Sequence, residues 1–279
     1  DLHVRSRRQR QMCIRDSSYD SSPILNYVNI IGNGGHAGFY QHNNYYADYE
    51  RPILNYVTIA DNTGYGINII DSAEPILNNV TIVNNGLEEI YVMSLNRLTH
   101  PILINSIIWD KYSEDPNIWL ELCCEEVDDP SNPNNNASIT INFSDIEEGI
   151  AGIFIDDCSL CAANYLENNI DTDPLFTDSD NGDYTLQEGS LCIDAGTSDL
   201  DGDGEEDITE YIGLAPDMGA FESPYSGTGG PTDLTISYNS GWNIVGLPME
   251  VEDSNYQILF PNAPGEPLYA FNGCLLYTS

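Results

Sequence analysis

One eight-residue motif occurs four times in the first half of the chain and limits its possible folds more than any other feature. Residues 52–59 read Pro-Ile-Leu-Asn-Tyr-Val-Thr-Ile, residues 23–30 and 75–82 are near-copies, and residues 101–108 are a looser copy. Successive copies start 29, 23 and 26 residues apart. Self-similarity at such a period is typical of solenoids, in which each repeat stacks on the one before it. We therefore expect a single elongated core.

Apolar side chains recur at the third, sixth and eighth positions of the copies, with Ser106 interrupting the last copy. They are Leu25, Val28, Ile30, Leu54, Val57, Ile59, Leu77, Val80, Ile82, Leu103 and Ile108. The final two-residue step matches a β-strand, and the three-residue step before it indicates a bend between two short strands. Gly and Asn residues after each copy, as at 32–35, favour strands and tight turns over a helix.

A second short strand is predicted at residues 66–70, after the turn and before the next proline. Strand, turn, strand and turn at about 23 residues per circuit resembles the right-handed parallel β-helix of the pectate-lyase-like superfamily. Stacked coils lie roughly 4.8 Å apart. At that spacing Asn55 and Asn78 would form a hydrogen-bonded ladder along the stack.

Motifs in the second half resemble the closing coils of secreted bacterial right-handed β-helix repeat proteins. They occupy residues 104–109, 143–147, 173–176, 182–186, 189–196 and 217–222. The resemblance implies a right-handed parallel β-helix solenoid over residues 18–222 and an extracellular or cell-surface location. Residues 223–232 have the composition of a linker, and residues 233–273 resemble a truncated small β module. The predicted fold class is therefore all-β throughout.

The two ends differ from the rest of the chain. Five of the eight basic residues lie within the first 17 positions, and the other three are Arg51, Arg97 and Lys111. Residues 11–17 and 274–279 resemble translated sequencing-adapter sequence, so residues 1–17 and 274–279 are left out of the fold prediction as non-native or disordered. The alternative for the first segment is a disordered basic arm that binds anions.

The net charge of −37 limits the possible partners. So acidic a chain repels nucleic acid and anionic lipid surfaces, and we expect neither as a partner. No apolar run approaches 18 residues, so we expect no membrane insertion. An acidic, Asn-rich surface suits a salty or calcium-containing extracellular medium. We expect a monomer whose partner is a polysaccharide or a cell-surface glycan.

An aromatic segment at residues 34–50 lengthens its repeat. Aromatic rings stack on sugars through their apolar faces while their polar tips bond hydroxyl groups. The candidate carbohydrate-binding residues are Phe39, Tyr40, His42, Tyr45 and Tyr46. The alternative is that Phe39 packs inside the core and that the tyrosines merely cover the coil.

Catalytic groups are hard to identify in this sequence. Polysaccharide lyases of the superfamily need a base, usually Lys or Arg, beside carboxylates that hold calcium against a uronate. Arg51 and Lys111 stand at predicted turns, so we expect no activity on polyuronates. Glycoside hydrolases use paired carboxylates, but an Asp-rich chain contains many chance pairs. We therefore favour a non-catalytic binding or adhesion role, with a divergent polysaccharide lyase or glycoside hydrolase as the alternative.

Five internal cysteines allow two arrangements. They are Cys123, Cys124, Cys158, Cys161 and Cys192. A four-thiolate zinc site would need the usual two-residue gap, which an adjacent pair lacks. A disulfide joining the region of residues 123–124 to residues 158–161 is the other arrangement, and it leaves an odd cysteine.

Residues 199–210 match the calcium-binding loop of EF-hand proteins, with Asp at positions one, three and five, Gly at six and Glu at twelve. The candidate calcium ligands are Asp199, Asp201, Asp203, Glu205 through its carbonyl, Asp207 and Glu210. Two features depart from the pattern: Glu206 stands where an aliphatic residue normally fixes the loop, and neither flank reads as a long helix. The alternative is a solvated acidic loop. A calcium ion here would have a structural role.

Overall fold

The computed structural model describes residues 10–11, 17–19, 22–42, 51–70, 73–94, 98–110, 116–122, 137–156, 161–226, 242–245, 269–271 and 274–278. The strands are β1 (Arg10–Gln11), β2 (Ser17–Tyr19), β3 (Ile24–Asn26), β4 (Val28–Ile31), β5 (Ala37–His42), β6 (Ile53–Ala60), β7 (Tyr65–Ile70), β8 (Ile76–Val83), β9 (Ile90–Ser94), β10 (Ile102–Ile104), β11 (Ile107–Trp109), β12 (Ile118–Leu122), β13 (Ser138–Asn142), β14 (Asp145–Ile146), β15 (Ile153–Asp156), β16 (Ala162–Tyr165), β17 (Phe176–Asp178), β18 (Asp183–Leu186), β19 (Trp242–Val245), β20 (Tyr269–Phe271) and β21 (Cys274–Thr278). Within these ranges the helical segments are two 3₁₀ turns, Gly149–Gly152 and Ser179–Asn181. The prediction of an all-β chain is confirmed.

Two parallel sheets contain the strands of the repeats. The first sheet has ten strands in the order β1-β4-β6-β8-β10-β13-β16, with β3, β11 and β14 attached to that path. The second has six strands in the order β15-β12-β9-β7-β5-β2. Along the chain the strands alternate between the sheets, so that β6 is followed by β7 and β8 by β9. Strand β7 confirms the second strand predicted at residues 66–70.

The copies of the motif lie side by side in the first sheet in the predicted register. Leu54 pairs with Leu77, Val57 with Val80 and Ile59 with Ile82 in parallel orientation. All six side chains are fully buried and belong to the main hydrophobic core. The second sheet contributes its own inward row, which comprises Phe39, Ile67, Ile69, Ile90, Val92, Ile118 and Leu120. The predicted apolar phase is therefore confirmed, because the third, sixth and eighth positions point into this core.

A left-handed residue produces the predicted bend at the fifth position of each copy. The φ angles are 57° at Tyr27, 56° at Tyr56, 52° at Asn79 and 52° at Asn105. One such residue reverses the side-chain alternation, which explains the three-residue step between the apolar positions. Ser106, which interrupts the apolar pattern, follows the bend of the fourth copy, and its Oγ accepts the Val80 N–H at 3.1 Å. Its hydroxyl therefore satisfies backbone groups where the strand bends.

Two asparagine ladders cross the repeats. The predicted ladder is present: Asn55 Nδ2 donates to Asn26 Oδ1 at 2.9 Å, and Asn78 Nδ2 donates to Asn55 Oδ1 at 3.0 Å. A second, unpredicted ladder lies in the turns, at the eleventh position of each copy. It consists of Asn33, Asn62 and Asn85. The asparagine side chains thereby bond buried backbone N–H and C=O groups in the turns, where no neighbouring strand offers a partner.

Residues 171–226, here called the covering segment, fold back over the outer face of the first sheet. The antiparallel hairpin β17-β18 lies within it. Its Tyr184 forms a buried cluster with Ala60 and Val83 of the first sheet, and Met218 packs in a second cluster with Ile107. The outer face is apolar at these positions, so a cover stabilises it by excluding water. These contacts bury side chains on both faces of β6, β8 and β11.

The covering segment corrects the expectation that the β-helix coils continue to residue 222. Parallel pairing extends through β15 and β16 to the bridge between Asp145 and Ile170, and the motifs at 173–176, 182–186, 189–196 and 217–222 lie across earlier strands instead. Two asparagines with a left-handed backbone, Asn79 and Asn105, hold the covering segment in this position. Asn79 Nδ2 donates to the Asp217 carbonyl at 2.9 Å, and Asn105 exchanges two bonds with the Thr197 backbone at 2.8 and 2.7 Å. A tyrosine, as at Tyr27 and Tyr56, could not make these bonds.

The chain divides into two compact units, residues 1–229 and 230–279. The division lies inside the predicted linker at 223–232. In the second unit β19, β21 and β20 form a three-stranded antiparallel sheet in that order. Strands β1 and β21 fall within the ends that were left out of the fold prediction, and β1 pairs in parallel with β4. Backbone pairing at a sheet edge needs no particular side chain, so sequence composition does not exclude it.

Candidate functional site

An aromatic belt lies on the outer side of the second sheet. Its members are Tyr40, Tyr65, Tyr91, Trp119 and Phe154. Tyr40, Tyr91, Trp119 and Phe154 share one row across the sheet, with Asn68 between the first two. Side chains alternate between the faces of a strand, and neighbours of this row such as Ile90, Val92 and Ile118 belong to the core, so the row faces outward. Phe154 is 42 % exposed, Tyr40 and Trp119 are half-buried, and Tyr91 is buried at 8 % exposure.

Ring contacts hold the belt in a fixed arrangement. Tyr65 stacks on Tyr91 with ring centroids 4.8 Å apart, and Trp119 lies 4.5 Å from Phe154 at an interplanar angle of 55°. The Tyr91 hydroxyl donates to Glu121. Burial raises the pKa of Tyr65, and the nearby Glu88 and Glu121 carboxylates raise it further, so its phenol stays protonated. The belt therefore offers rigid ring faces together with hydroxyl donors.

Two polar atoms along the belt row have no hydrogen-bond partner within the described ranges. The Asn68 side chain is almost fully buried, with Nδ2 bonded to His36 Nε2 at 2.9 Å and Oδ1 unsatisfied by any described residue. The Trp119 indole Nε1 likewise finds no acceptor among the described residues. Polar groups left in this state are rare and usually mark a place where water or a ligand completes the bonding.

The structure separates the five residues predicted to bind carbohydrate. Phe39 is 3 % exposed and packs in the core, so the prediction that it contacts a sugar is wrong; strand alternation turns it inward. Tyr40 and His42 lie in β5 on the belt side, with ring centroids 6.4 Å apart. Tyr45 and Tyr46 lie outside the described residues. Tyr91, Trp119 and Phe154 were missed, because unequal repeat lengths hide their common register.

The acidic loop at residues 199–210 folds around the Asp199 carboxylate. Gly202 N–H donates to its Oδ1 at 2.7 Å, and Gly204 N–H donates to its Oδ2 at 2.9 Å. Gly204 has a φ of 92°, which a side chain would strain. One oxygen each of Asp199, Asp201 and Asp207 lies within 4.8 Å of the other two. A calcium ion about 2.4 Å from each ligand fits between oxygens at that separation.

The triad contains three of the predicted calcium ligands and leaves the others apart. Asp203 Oδ1 accepts the Glu205 N–H at 2.8 Å, and Glu210 is exposed. The side chains close enough to share one metal ion are therefore those at positions one, three and nine. Its apolar anchor is the buried Ile208 rather than position eight, which Glu206 occupies. The carbonyl oxygen predicted at Glu205 stays a prediction.

Arg51 is the basic side chain whose suitability for lyase chemistry the structure can test. Arg51 is exposed and pairs with Glu74, with Nη2 and Oε2 2.6 Å apart. Its guanidinium is thus already neutralised at the turn before β6. Arg97 and Lys111 lie outside the described residues.

The two described internal cysteines differ in state. Cys161 is in a disulfide whose partner lies outside the described residues, as do Cys123, Cys124 and Cys158. Cys192 is a buried free thiol that donates to Asp145 Oδ2 at 3.0 Å. Burial raises the pKa of this thiol, and the Asp145 charge raises it further. Cys192 therefore stays protonated and acts as a core side chain and hydrogen-bond donor.

Comparisons with protein-family models, with curated proteins and with solved structures give no match to this chain. The described residues form no helix long and apolar enough to cross a membrane. The aromatic belt and the acidic loop are therefore the features of this chain that bear on its function.

Proposed function

We propose that the chain is an extracellular or cell-surface right-handed parallel β-helix that binds carbohydrate without catalysis. Two parallel sheets joined by alternating strands support the β-helix. Crossovers between parallel strands are right-handed in almost all proteins, which supports the hand. The Cys161 disulfide and the net charge of −37 support an oxidising, extracellular setting.

The aromatic belt is the observation on which carbohydrate binding rests. Its row crosses five adjacent strands and so covers about 19 Å at one strand spacing of about 4.8 Å per step. That length suits several consecutive sugar units of a polysaccharide laid across the strands. Stacking on Trp119 and Phe154 would supply most of the affinity, since aromatic side chains dominate binding energy at such surfaces.

Calcium would have a structural role in this proposal. Asp199, Asp201 and Asp207 would hold the ion, which supplies positive charge to a loop of seven acidic residues. The loop belongs to the covering segment, between Thr197 and Asp217, which both bond to the left-handed asparagines. Fixing the loop would therefore stabilise the cover of the first sheet.

Glycan binding can be tested by affinity electrophoresis and calorimetry against neutral and acidic polysaccharides. We expect retention by at least one polysaccharide and a loss of about tenfold in affinity for Trp119→Ala, as for the loss of one stacked ring. Tyr27→Ala is the matched control, because Tyr27 is an exposed tyrosine that stacks on Tyr56 away from the second sheet. Equal loss in both variants, or no retention by any polysaccharide, would contradict the proposal.

A further inference from the structure

A pocket of about 400 Å³ lies between the first sheet and the hairpin β17-β18. Val83 and Trp109, at the ends of β8 and β11, form one wall, and Phe176 of β17 forms the facing wall. The volume lies within the range of sites for small molecules. The pocket is on the opposite sheet from the aromatic belt, so the proposed glycan surface does not include it.

The apolar walls of this pocket are held rigidly. Phe176 contacts Tyr184 edge to face, with ring centroids 5.5 Å apart. The Tyr184 hydroxyl donates to Asp61 Oδ2 at 2.9 Å, which ties the hairpin to the first sheet. Trp109 packs against the same buried cluster. The rings therefore keep their positions whether or not a ligand is bound, and binding would cost little reorganisation.

Two carboxylates complete the lining. Glu147 Oε2 accepts the Asp110 N–H at 2.8 Å, which fixes the carboxylate at the pocket wall. Asp173 Oδ1 accepts the Leu175 N–H at 2.9 Å. A carboxylate accepts up to about four hydrogen bonds, so both groups retain capacity for a donor in the pocket.

No cation of the described part of the chain balances these charges. Among the side chains that the structure describes, Arg51 is the one Lys or Arg, and it pairs with Glu74. A negative pocket with aromatic walls attracts an organic cation, because an ammonium group gains from the carboxylates and from the face of a Trp ring at once. An anionic or neutral ligand lacks this gain.

We propose that this pocket binds a small organic cation carrying a primary or quaternary ammonium group. Glu147 and Asp173 contact the charged group, and Trp109 and Phe176 enclose the carbon groups beside it. An amino sugar and a free alkylammonium ion share this chemistry, so the test includes both.

Calorimetry at a fixed calcium concentration tests the proposal with two pairs of probes. Choline is compared with its neutral isostere 3,3-dimethyl-1-butanol, and glucosamine with glucose. We expect both cations to bind and both neutral compounds to fail. Binding of glucosamine without choline would also support the proposal and would restrict the ligand to amino sugars.

Three variants separate a specific site from general attraction to an acidic protein. Glu147→Gln removes the charge and keeps an acceptor for the Asp110 N–H. Asp173→Asn removes the other charge and keeps an acceptor for the Leu175 N–H, at an exposed position. Each should weaken cation binding about tenfold. Glu188→Gln, an exposed carboxylate outside the pocket lining, should leave it unchanged. Equal binding of neutral and charged probes, no binding at all, or equal effects of all three variants would overturn the proposal.

Discussion

Asn62 shows how one side chain can connect three neighbouring repeats. Its Oδ1 accepts the Asn33 N–H at 2.9 Å, and its Nδ2 donates to the Ile30 carbonyl at 3.0 Å and to Asn85 Oδ1 at 2.9 Å. All of these groups lie where the chain leaves a strand and the backbone loses its sheet partners. Buried backbone groups cost free energy unless they are bonded, so this ladder stabilises every turn that it passes.

Asn62→Ala should lower the free energy of unfolding by about 2–3 kcal/mol, since it leaves several buried donors and acceptors unpaired. Asn26→Ala is the control, because Asn26 is exposed and water replaces the bond that it accepts from Asn55. Its cost should stay below about 1 kcal/mol. Urea denaturation of both variants measures the difference, and equal costs would contradict this account of the turn ladder.

Proposed calcium binding by the triad of Asp199, Asp201 and Asp207 can distinguish the folded geometry from the EF-hand sequence pattern. Calcium should raise the melting temperature of the wild-type chain, because an ion that binds only the folded state stabilises it. Asp207→Asn should remove most of that rise, since Asp207 is in the triad, whereas Asp203→Asn should remove little. The reverse order would show that the loop binds calcium as the EF-hand pattern predicts. An unchanged melting curve with calcium and with chelator would rule out the site.

The covering segment depends on close backbone approach to the first sheet. Gly219 has a φ of 94°, and a Cβ there would lie 2.8 Å from both Ile107 Cδ1 and Thr81 Oγ1. Its neighbour Ala220 donates to Thr81 Oγ1 at 2.9 Å. The covering segment can therefore approach Thr81 and Ile107 this closely only because residue 219 has no side chain.

Gly219→Ala should destabilise the chain by at least about 1–3 kcal/mol, the usual cost of such a backbone strain, with the steric clash added. Gly34→Ala is the matched control, because a Cβ at Gly34 meets no atom within 4 Å. Thermal unfolding followed by circular dichroism should show a large loss for the first variant and little change for the second. A small effect of Gly219→Ala would mean that the covering segment is not held against Ile107.

At the scale of the whole molecule, carboxylates are buried as well as exposed. Burial raises the pKa of Asp145 to about 7 and that of Glu222 to about 7. Burial also raises the pKa values of Glu89 and Asp217. Unfolded carboxyl groups titrate near pH 4. The folded state therefore binds more protons than the unfolded state between about pH 4 and pH 7.

Stability should consequently fall as the pH rises through this window and should level off above about pH 8. With chelator present, the melting temperature at pH 5 should exceed that at pH 8. Asp145→Asn should raise the melting temperature at pH 8, because the neutral amide avoids the buried charge and still accepts the Thr172 N–H. Asp178→Asn, at an exposed position, should not change the pH profile. Higher stability at pH 8 than at pH 5 would contradict these pKa shifts.

The motif was sufficient to predict the strands, the inward row and one asparagine ladder. Each of these follows from contacts between equivalent positions of neighbouring repeats, such as Leu54 with Leu77 and Asn55 with Asn78. The bend was predicted from a three-residue step, although its cause, a left-handed fifth residue, was not. The calcium loop was predicted from local spacing, and the structure brings three of its side chains together.

The sequence by itself determined the parts that depend on local periodicity, because stacked repeats place identical positions next to each other. Only the tertiary structure decided where the covering segment lies, because that depends on contacts between residues more than 90 positions apart, such as Asn105 and Thr197. It also brought Tyr91, Trp119 and Phe154 into one row and joined Trp109, Glu147 and Phe176 in one pocket. Long-range packing assembles the aromatic row and the pocket, and the spacing of these residues along the chain does not predict either arrangement.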